Sequence, residues 1–308
     1  MKNIELFYPG YTKKAVTFSI DDGHVQYDGK LLDIVRPVGI KGTFNLTSAD
    51  RITPAEYLEL YRGYEIANHC KHHPHAFDDS VNYIIADEPF EPETADNSLL
   101  YRHPSLKGFY YISRPRGWRL ITDAETYIEC IKAAERELEA VFGVGSVRSF
   151  AWPFHEQNSE AIKTYLAACG YYAVRQSGLV FDTTGFDFPE SSIGWKCNAN
   201  HQNLMDMAAL YEAYPDDGKL KFFSFGVHSA DFERAERWDE LKAFAARYAN
   251  RPSDFFYATV GEIFDYHKAV GMLEISDKTI FNPSGLTVYV KLDGTPIAVP
   301  PHGEILLS

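Results

Sequence analysis

The sequence predicts an α/β protein: a closed or nearly closed barrel of about seven parallel strands, followed by a small β appendage. Two observations carry this. Short apolar runs alternate with amphipathic runs from residue 14 to about residue 270, the signature of repeated βα units. Beyond Asn282 the pattern switches to period two, in GLTVYVKLDGTPIAVPPHGEILL. An open doubly wound sheet is the competing architecture. Residues 1–272 are expected to hold the barrel, with an insertion at 78–122, and residues 273–308 the appendage.

The elements follow in order. KAVTFSI is the first strand, and KLLDIV is a short helix stopped by Pro37. GTFNLT is the second strand. TPAEYLELYRG carries a full set of helix signals: Thr53 at the N-cap, Pro54 at the first helical position, Glu56 for a capping box, and Gly63 past the end. YEIAN is a third strand that delivers NHCKHHPH into a loop. Residues 78–122 have no clear period and many prolines, aromatics and cations. A long irregular segment in a compact domain is usually functional or mobile, so this one is read as an insertion near the site, a lid or substrate contact, with a surface loop of no role as the alternative.

Regularity returns with TDAETYIECIKAAERELEAVF, where Thr122 and Glu125 suggest a capping box and Ile128, Ile131, Leu138 and Phe142 mark a buried stripe. VRSFAWP is a strand. SEAIKTYLAACG is a helix with Ile162, Tyr165, Leu166 and Cys169 on one face, and YYAV is the next strand. The stretch through Trp195 reads as loop. LMDMAALYEAY is helical, KLKFFSFGVH a long strand, WDELKAFAARYA a helix, DFFYAT a strand, and TVGEIFDYHKAVG a helix capped by Thr259 and Glu262. Asp293-Gly294 signals a hairpin turn in the appendage.

Composition narrows the function. The 308 residues carry 30 Lys and Arg against 43 Asp and Glu, a net charge of −13, which argues against a nucleic-acid partner. Cys70, Cys130, Cys169 and Cys197 form no CxxC pair and suggest neither a disulfide framework nor a structural zinc site. The start, MKNIELFYPGYTKK, shows no apolar leader and no run approaches a membrane span, so the expectation is a cytoplasmic protein, or a secreted one if a leader was removed, without a membrane partner. Aromatic residues reach 15%, which suits a sugar-binding cleft as well as an aromatic core.

Polar groups gather at three strand ends: Asp21-Asp22, His69 with His73, and His228. Two histidines and a carboxylate are a common ligand set for a catalytic ion that keeps open positions. A satisfied polar rim is the alternative. Two adjacent aspartates at the end of a buried strand repel each other, which calls for a reason beyond capping.

In order, SIDDG, GYEIANHCKHHP, FAWPF and GVHS resemble the motifs TFDDG, HxxxHP, RxPY and LxH of the polysaccharide deacetylases with NodB homology. YATVGEIFDYHK resembles that family's last strand and helix. The resemblance spans roughly residues 14 to 270 and implies a deformed (β/α) barrel holding one divalent ion, zinc first, with cobalt, nickel or manganese as alternatives. It implies Asp22, His69 and His73 as metal ligands, Asp21 as base, His228 as general acid, and the backbone N–H of Phe154 as a donor to the oxyanion. The implied activity is N-deacetylation of an N-acetylated sugar, oligosaccharide or polysaccharide. Trp152, Phe154, Arg175 and Trp195 are the expected substrate contacts.

Three positions depart from the family. Ala151 stands in place of the motif arginine that holds the base, and Arg175, directly after YYAV, is the expected replacement. Arg148 is expected to sit deeper or to point away. Gly226 stands where the family has leucine. His24 replaces the proline after the aspartates and lies within reach of an ion. Two other readings remain open: hydrolysis of another linear or cyclic amide, and a non-catalytic carbohydrate-binding member. A binder would hold sugar without releasing acetate, and a cyclic-amide hydrolase would ignore sugars.

Overall fold

The computed structural model describes residues 3–86, 98–114, 117–154, 159–179 and 186–307. The fold is α/β. Its central sheet is parallel, in the order Lys221–His228, Lys14–Asp21, Thr43–Leu46, Glu65–Asn68, and Phe255–Tyr257 pairs with the start of Lys14–Asp21. Lys14–Asp21 is buried from Ala15 to Asp21. A parallel strand covered on both faces needs such a continuous apolar run.

Isolated parallel bridges carry the pairing further. Asn68 bridges to Phe150, Ala151 to Arg175, and Ala199 to Phe225. Val174–Leu179 pairs in parallel with Ile193–Cys197. VRSFAWP thus contributes two bridged residues, Phe150 and Ala151, in place of the expected full strand, and after Trp152 it ends on Pro153, which has no N–H to extend the pairing. YYAV becomes strand only at Val174, and Ile193–Cys197 is a strand where the sequence reads as loop.

Amphipathic helices cover the strands. Phe18, Ile20 and Phe44 pack with Leu31, Ile131, Leu166, Phe225 and Phe244 in one core cluster. Full burial of such side chains is worth about 1.5–3 kcal/mol each. Thr53 and Glu56 form the expected capping box, as do Thr259 and Glu262. The helix Ala124–Phe142 is capped by Asp123, not Thr122: the Asp123 carboxylate accepts from the Thr126 amide. Its buried stripe runs through Tyr127, Cys130, Ile131, Ala134 and Leu138, with Ile128 and Phe142 half-buried at its margin. On Glu160–Ala168 the buried pair is Ile162 and Leu166, while Cys169 is exposed.

The insertion is more ordered than its sequence suggests. Five short strands pair in the order His75–Ala76, Gly117–Thr122, Phe109–Arg114, Leu99–Arg102, Ile84–Ala86. They enclose a small core of Leu100, Tyr110, Ile112 and Ile121. Residues 87–97 and 115–116 of the insertion lie outside the described residues. The sheet grows directly out of the histidine loop, because His75 pairs with Ile121.

At the other end, Val288–Leu292 and Thr295–Val299 form the predicted hairpin. Asp293 and Gly294 take positive φ of 49° and 81°, the type I′ requirement. The N-terminal strand Ile4–Phe7 joins this hairpin rather than the central sheet. A second small sheet pairs Glu274–Ile275, Thr279–Phe281 and Glu304–Leu306. Val288, Val290 and Val299 share a core with Tyr8, Ile263 and Phe264, so the appendage packs against the last helix. Among the described residues no helix is long and apolar enough to cross a membrane.

Candidate active site

Register assembles the site. His228 pairs with Asp21, Asp21 with Asn45, and Asn45 with Ala67, so one row crosses four parallel strands at their C-terminal ends. Such ends are where α/β proteins place their sites. Beyond Asp21 the chain turns sharply. Asp22 has φ of +73°, an unusual value for a residue with a side chain. Arg51 pins this turn, its Nη1 donating to the carbonyls of Asp22 (2.8 Å) and Gly23 (2.6 Å). Gly23 is required there, since a Cβ would sit 2.7 Å from Leu46 Cδ2.

The turn aims Asp22 at the histidine loop. Asp22 Oδ1 lies 3.5 Å from His69 Nε2 and 3.4 Å from His73 Nε2, and the two Nε2 atoms are 3.2 Å apart. His69 Nδ1 lies 2.8 Å from the Ala151 carbonyl oxygen. A carbonyl only accepts, so Nδ1 carries a proton, and in the neutral imidazole that leaves the Nε2 lone pair facing Asp22 and His73. Burial, with His69 beside it, lowers the pKa of His73 to about 3, so its ring is neutral. Burial alone would raise the Asp22 pKa, but the imidazoles gathered around it, His24 and His69 first and then His73, outweigh burial and hold the carboxylate ionised, well below its usual range.

Three electron-pair donors therefore converge, and Asp22 Oδ1 is buried without a hydrogen bond. This fits a cation. A tetrahedral ion with bonds near 2.1 Å needs donors about 3.4 Å apart, and the observed triangle has edges of 3.2, 3.4 and 3.5 Å. The other carboxylate oxygen, Oδ2, lies 3.5 Å from both His24 Nε2 and His228 Nε2.

Asp21 is held differently. Its Oδ1 accepts from Arg175 Nη2 and from Asn45 Nδ2 at 2.7 Å. Both Asp21 and Arg175 are buried. Burial pushes the Asp21 pKa up, but Arg175, His69 and His228 together hold it below the usual value. Arg175 reaches Asp21 because its strand position bridges to Ala151: the guanidinium starts one strand along from the motif position. Arg148 points away, paired with Asp265 at 3.0 Å on an exposed surface.

His228 Nδ1 bonds Asp231 Oδ2 at 2.8 Å, and Arg234 holds the other Asp231 oxygen at 2.7 Å. Burial works against a charged His228, but Asp231 first, then Asp21 and Asp22, raise its pKa to about 9. Phe154 has φ of +52°, and its ring packs between His73 (4.5 Å) and His75 (3.6 Å, stacked).

Trp152 and Trp195 do not line the site as expected. Trp152 is 1% exposed, packed on Tyr127 and Phe150; Trp195 is 3% exposed, packed on Phe222 and Phe264. Their rings fill the layers between strands and helices. Asn45, Arg51 and Asp231 escaped the sequence reading. Asn45 had a signal, as a polar residue inside an apolar strand. Asp231 had another, three residues after His228 at the start of the helix Ser229–Arg234.

Fold and site together define an α/β protein with a candidate metal centre of one aspartate and two histidines. The chain belongs to the polysaccharide deacetylase family, whose model matches residues 9–174, more than half of its length. No curated protein matches it. Solved structures do. A Streptococcus mutans CE4 esterase is 14% identical at a TM-score of 0.43, over 82% of this chain and 92% of that one. The peptidoglycan deacetylase PdaC from Bacillus subtilis is 13% identical at 0.43, over 86% and 97%. A chitin deacetylase from the fungal pathogen Colletotrichum lindemuthianum is 14% identical at 0.43, over 84% and 88%.

Proposed function

We propose that this protein is a metal-dependent amide hydrolase that removes acetyl groups from an N-acetylated sugar, oligosaccharide or polysaccharide. The observation that carries the reading is the pairing of two differently held aspartates: Asp22 faces two imidazole lone pairs, and Asp21 lies beside it in register with His228. The bridges from Asn68 round to Phe225 support a deformed barrel of seven strands as the scaffold. Asp22, His69 and His73 would hold one divalent ion, zinc first on the chemistry of two imidazoles and a carboxylate. When bound, that ion supplies Lewis acidity, lowering the pKa of water and polarising the acyl oxygen.

The chain's own residues do the rest. Asp21, ionised and fixed by Arg175 and Asn45, accepts the proton of the attacking water. The Phe154 amide donates to the acyl oxygen as charge builds there. His228, oriented by Asp231, gives its proton to the departing nitrogen. Metal analysis together with an acetate-release screen over N-acetylglucosamine oligomers tests this. A metal-loaded protein that releases no acetate from any N-acetylated sugar would refute it. Gly226, which offers no apolar side chain toward the site, favours one second reading, hydrolysis of another linear or cyclic amide. Turnover of such amides with sugars ignored would establish that instead.

Asp231→Asn is expected to shift the alkaline limb of kcat/KM to lower pH by on the order of one unit. Its loss lowers the His228 pKa, so the donor proton is gone earlier as pH rises. The linked stability has the same sign. Because the folded value is raised, the His228 contribution is full below pH 6.5 and lost as pH rises through about 9. An unmoved limb would remove His228 as the acid.

The inserted sheet is proposed to contact substrate, because it grows from the loop between His73 and Phe77. Replacing Leu99 to Gly117 with a short Gly/Ser linker should raise KM by about tenfold or more, an effect of about 1.4 kcal/mol, and leave the central sheet folded. Unchanged kinetics would make the insertion passive.

A further inference from the structure

Gly226 lies on the strand Lys221–His228, two residues before His228 and so on the same side of the strand. Its backbone does not need glycine, since its φ is not positive. What it needs is space. A Cβ there would sit 2.5 Å from Cys197 Sγ, 3.2 Å from Cys197 Cβ and 3.3 Å from Arg175 Nη1. None of the three can retreat easily. Gly226 N donates to the Ala199 carbonyl at 2.9 Å, which fixes its distance from the chain that carries Cys197. Cys197 is 1% exposed, and its Sγ lies 3.5 Å from Ser224 Oγ. Arg175 is buried and tied by its own amide to Phe150 O at 2.7 Å. The guanidinium contacts the Cys197 thiol on one side and the Asp21 carboxylate on another.

We propose that Gly226 and Cys197 form a fitted seat for the Arg175 guanidinium and are positioning residues for Asp21, acting through that arginine. The proposal rests on the reading of Asp21 as the base. The bare glycine and the small thiol leave room for a planar fork to lie across the strand row and meet Asp21 Oδ1. A side chain at 226 pushes that fork out of line, and a base displaced by a fraction of an ångström loses its alignment with the water it must deprotonate.

The test is a double-mutant cycle on the metal-loaded protein, with the substrate found by the acetate-release screen. Gly226→Ala is expected to lower kcat by about 10²-fold, with KM and metal content nearly unchanged. In an Arg175→Lys background, where the fork is already gone, the same alanine should cost kcat less than about threefold. Equal costs in both backgrounds would mean that Gly226 serves packing alone and would overturn the proposal. Side-chain NMR with labelled arginine gives a readout independent of turnover. Arg175, identified by the signal that Arg175→Lys deletes, should show slowly exchanging guanidinium protons that Gly226→Ala abolishes. A signal intact in Gly226→Ala also overturns the seat. A signal lost with turnover unchanged would instead sink Asp21 as the base and leave the seat standing. If Gly226→Ala fails to fold, Cys197→Ala, which only opens space, should weaken the same signal and lower kcat several-fold; a change in neither overturns the proposal.

Discussion

His69→Ala and His73→Ala are each expected to abolish binding of the proposed metal and with it the proposed activity, while the chain stays folded. His69 supplies an Nε2 lone pair made available by the Ala151 carbonyl, and His73 supplies a neutral ring held so by burial. Removing either leaves two donors of three. Loss of groups that merely orient a ligand already costs 10- to 100-fold in metal affinity, so loss of a ligand should exceed about 100-fold. The fold should survive. Deleting one ring also removes an imidazole packed against the unbonded Asp22 oxygen, which offsets part of the cost of the truncation. The melting temperature offers a second check. A metal that binds only the folded chain raises it, and a chelator takes that rise away. In either variant the chelator should change nothing. Full metal occupancy in purified His69→Ala or His73→Ala would end the ligand assignment.

How far the sequence foretold this site depends on the residue. Asp21, Asp22, His69 and His228 were legible as candidates because each lies at or just past the end of an apolar strand, with His73 in the loop that follows one, and strand ends converge in a parallel sheet; the resemblance to the polysaccharide deacetylases supplied their roles. Arg175 was legible for the same reason, one residue past YYAV, although the strand proper begins at Val174 and runs on to Leu179. Asn45 and Asp231 act through register and helix geometry. Asn45 matters because it is the cross-strand partner of Asp21, and Asp231 because a short helix turns it back onto His228. Neither relation exists in the sequence until the strands are paired. Trp152 and Trp195 were misplaced because a large aromatic ring at a strand end serves a sugar or a core equally well, and only the neighbouring helices decide which. The inserted sheet was missed for a related cause. Its strands put tyrosines and arginines at positions where alternation would call for apolar residues, and among the described residues its core is a small cluster of Leu100, Tyr110, Ile112 and Ile121. The strand Ile4–Phe7 pairs across almost the whole length of the chain, a contact that no local pattern announces.

Arg175→Lys keeps a positive charge beside Asp21 and is expected to lower kcat by on the order of 10²-fold, about 2.7 kcal/mol in the barrier. The charge is not what is lost. A lysine ammonium placed near Asp21 still offsets the carboxylate, so the burial of Asp21 remains compensated and the melting temperature should barely move. Arg175→Met would be a poorer probe, since a buried carboxylate stripped of its partner destabilises by about 3–5 kcal/mol and would confuse orientation with folding. What lysine cannot supply is a planar fork that meets Asp21 Oδ1 with one nitrogen while the rest of the group lies against Cys197 and the bare face of Gly226. Asn45 still donates to the same oxygen, but a single amide leaves the carboxylate free to swing about that bond. The expected pattern is therefore a fall in kcat with KM, metal content and stability close to those of the parent, the mark of an interaction that matters chiefly in the transition state. Arg148→Lys is the control. Its guanidinium pairs with Asp265 on an exposed surface, where such pairs are worth about 0–1 kcal/mol, and turnover should not change. A fully active Arg175→Lys enzyme, or one whose loss tracks metal content, would remove Arg175 from the machinery of the base.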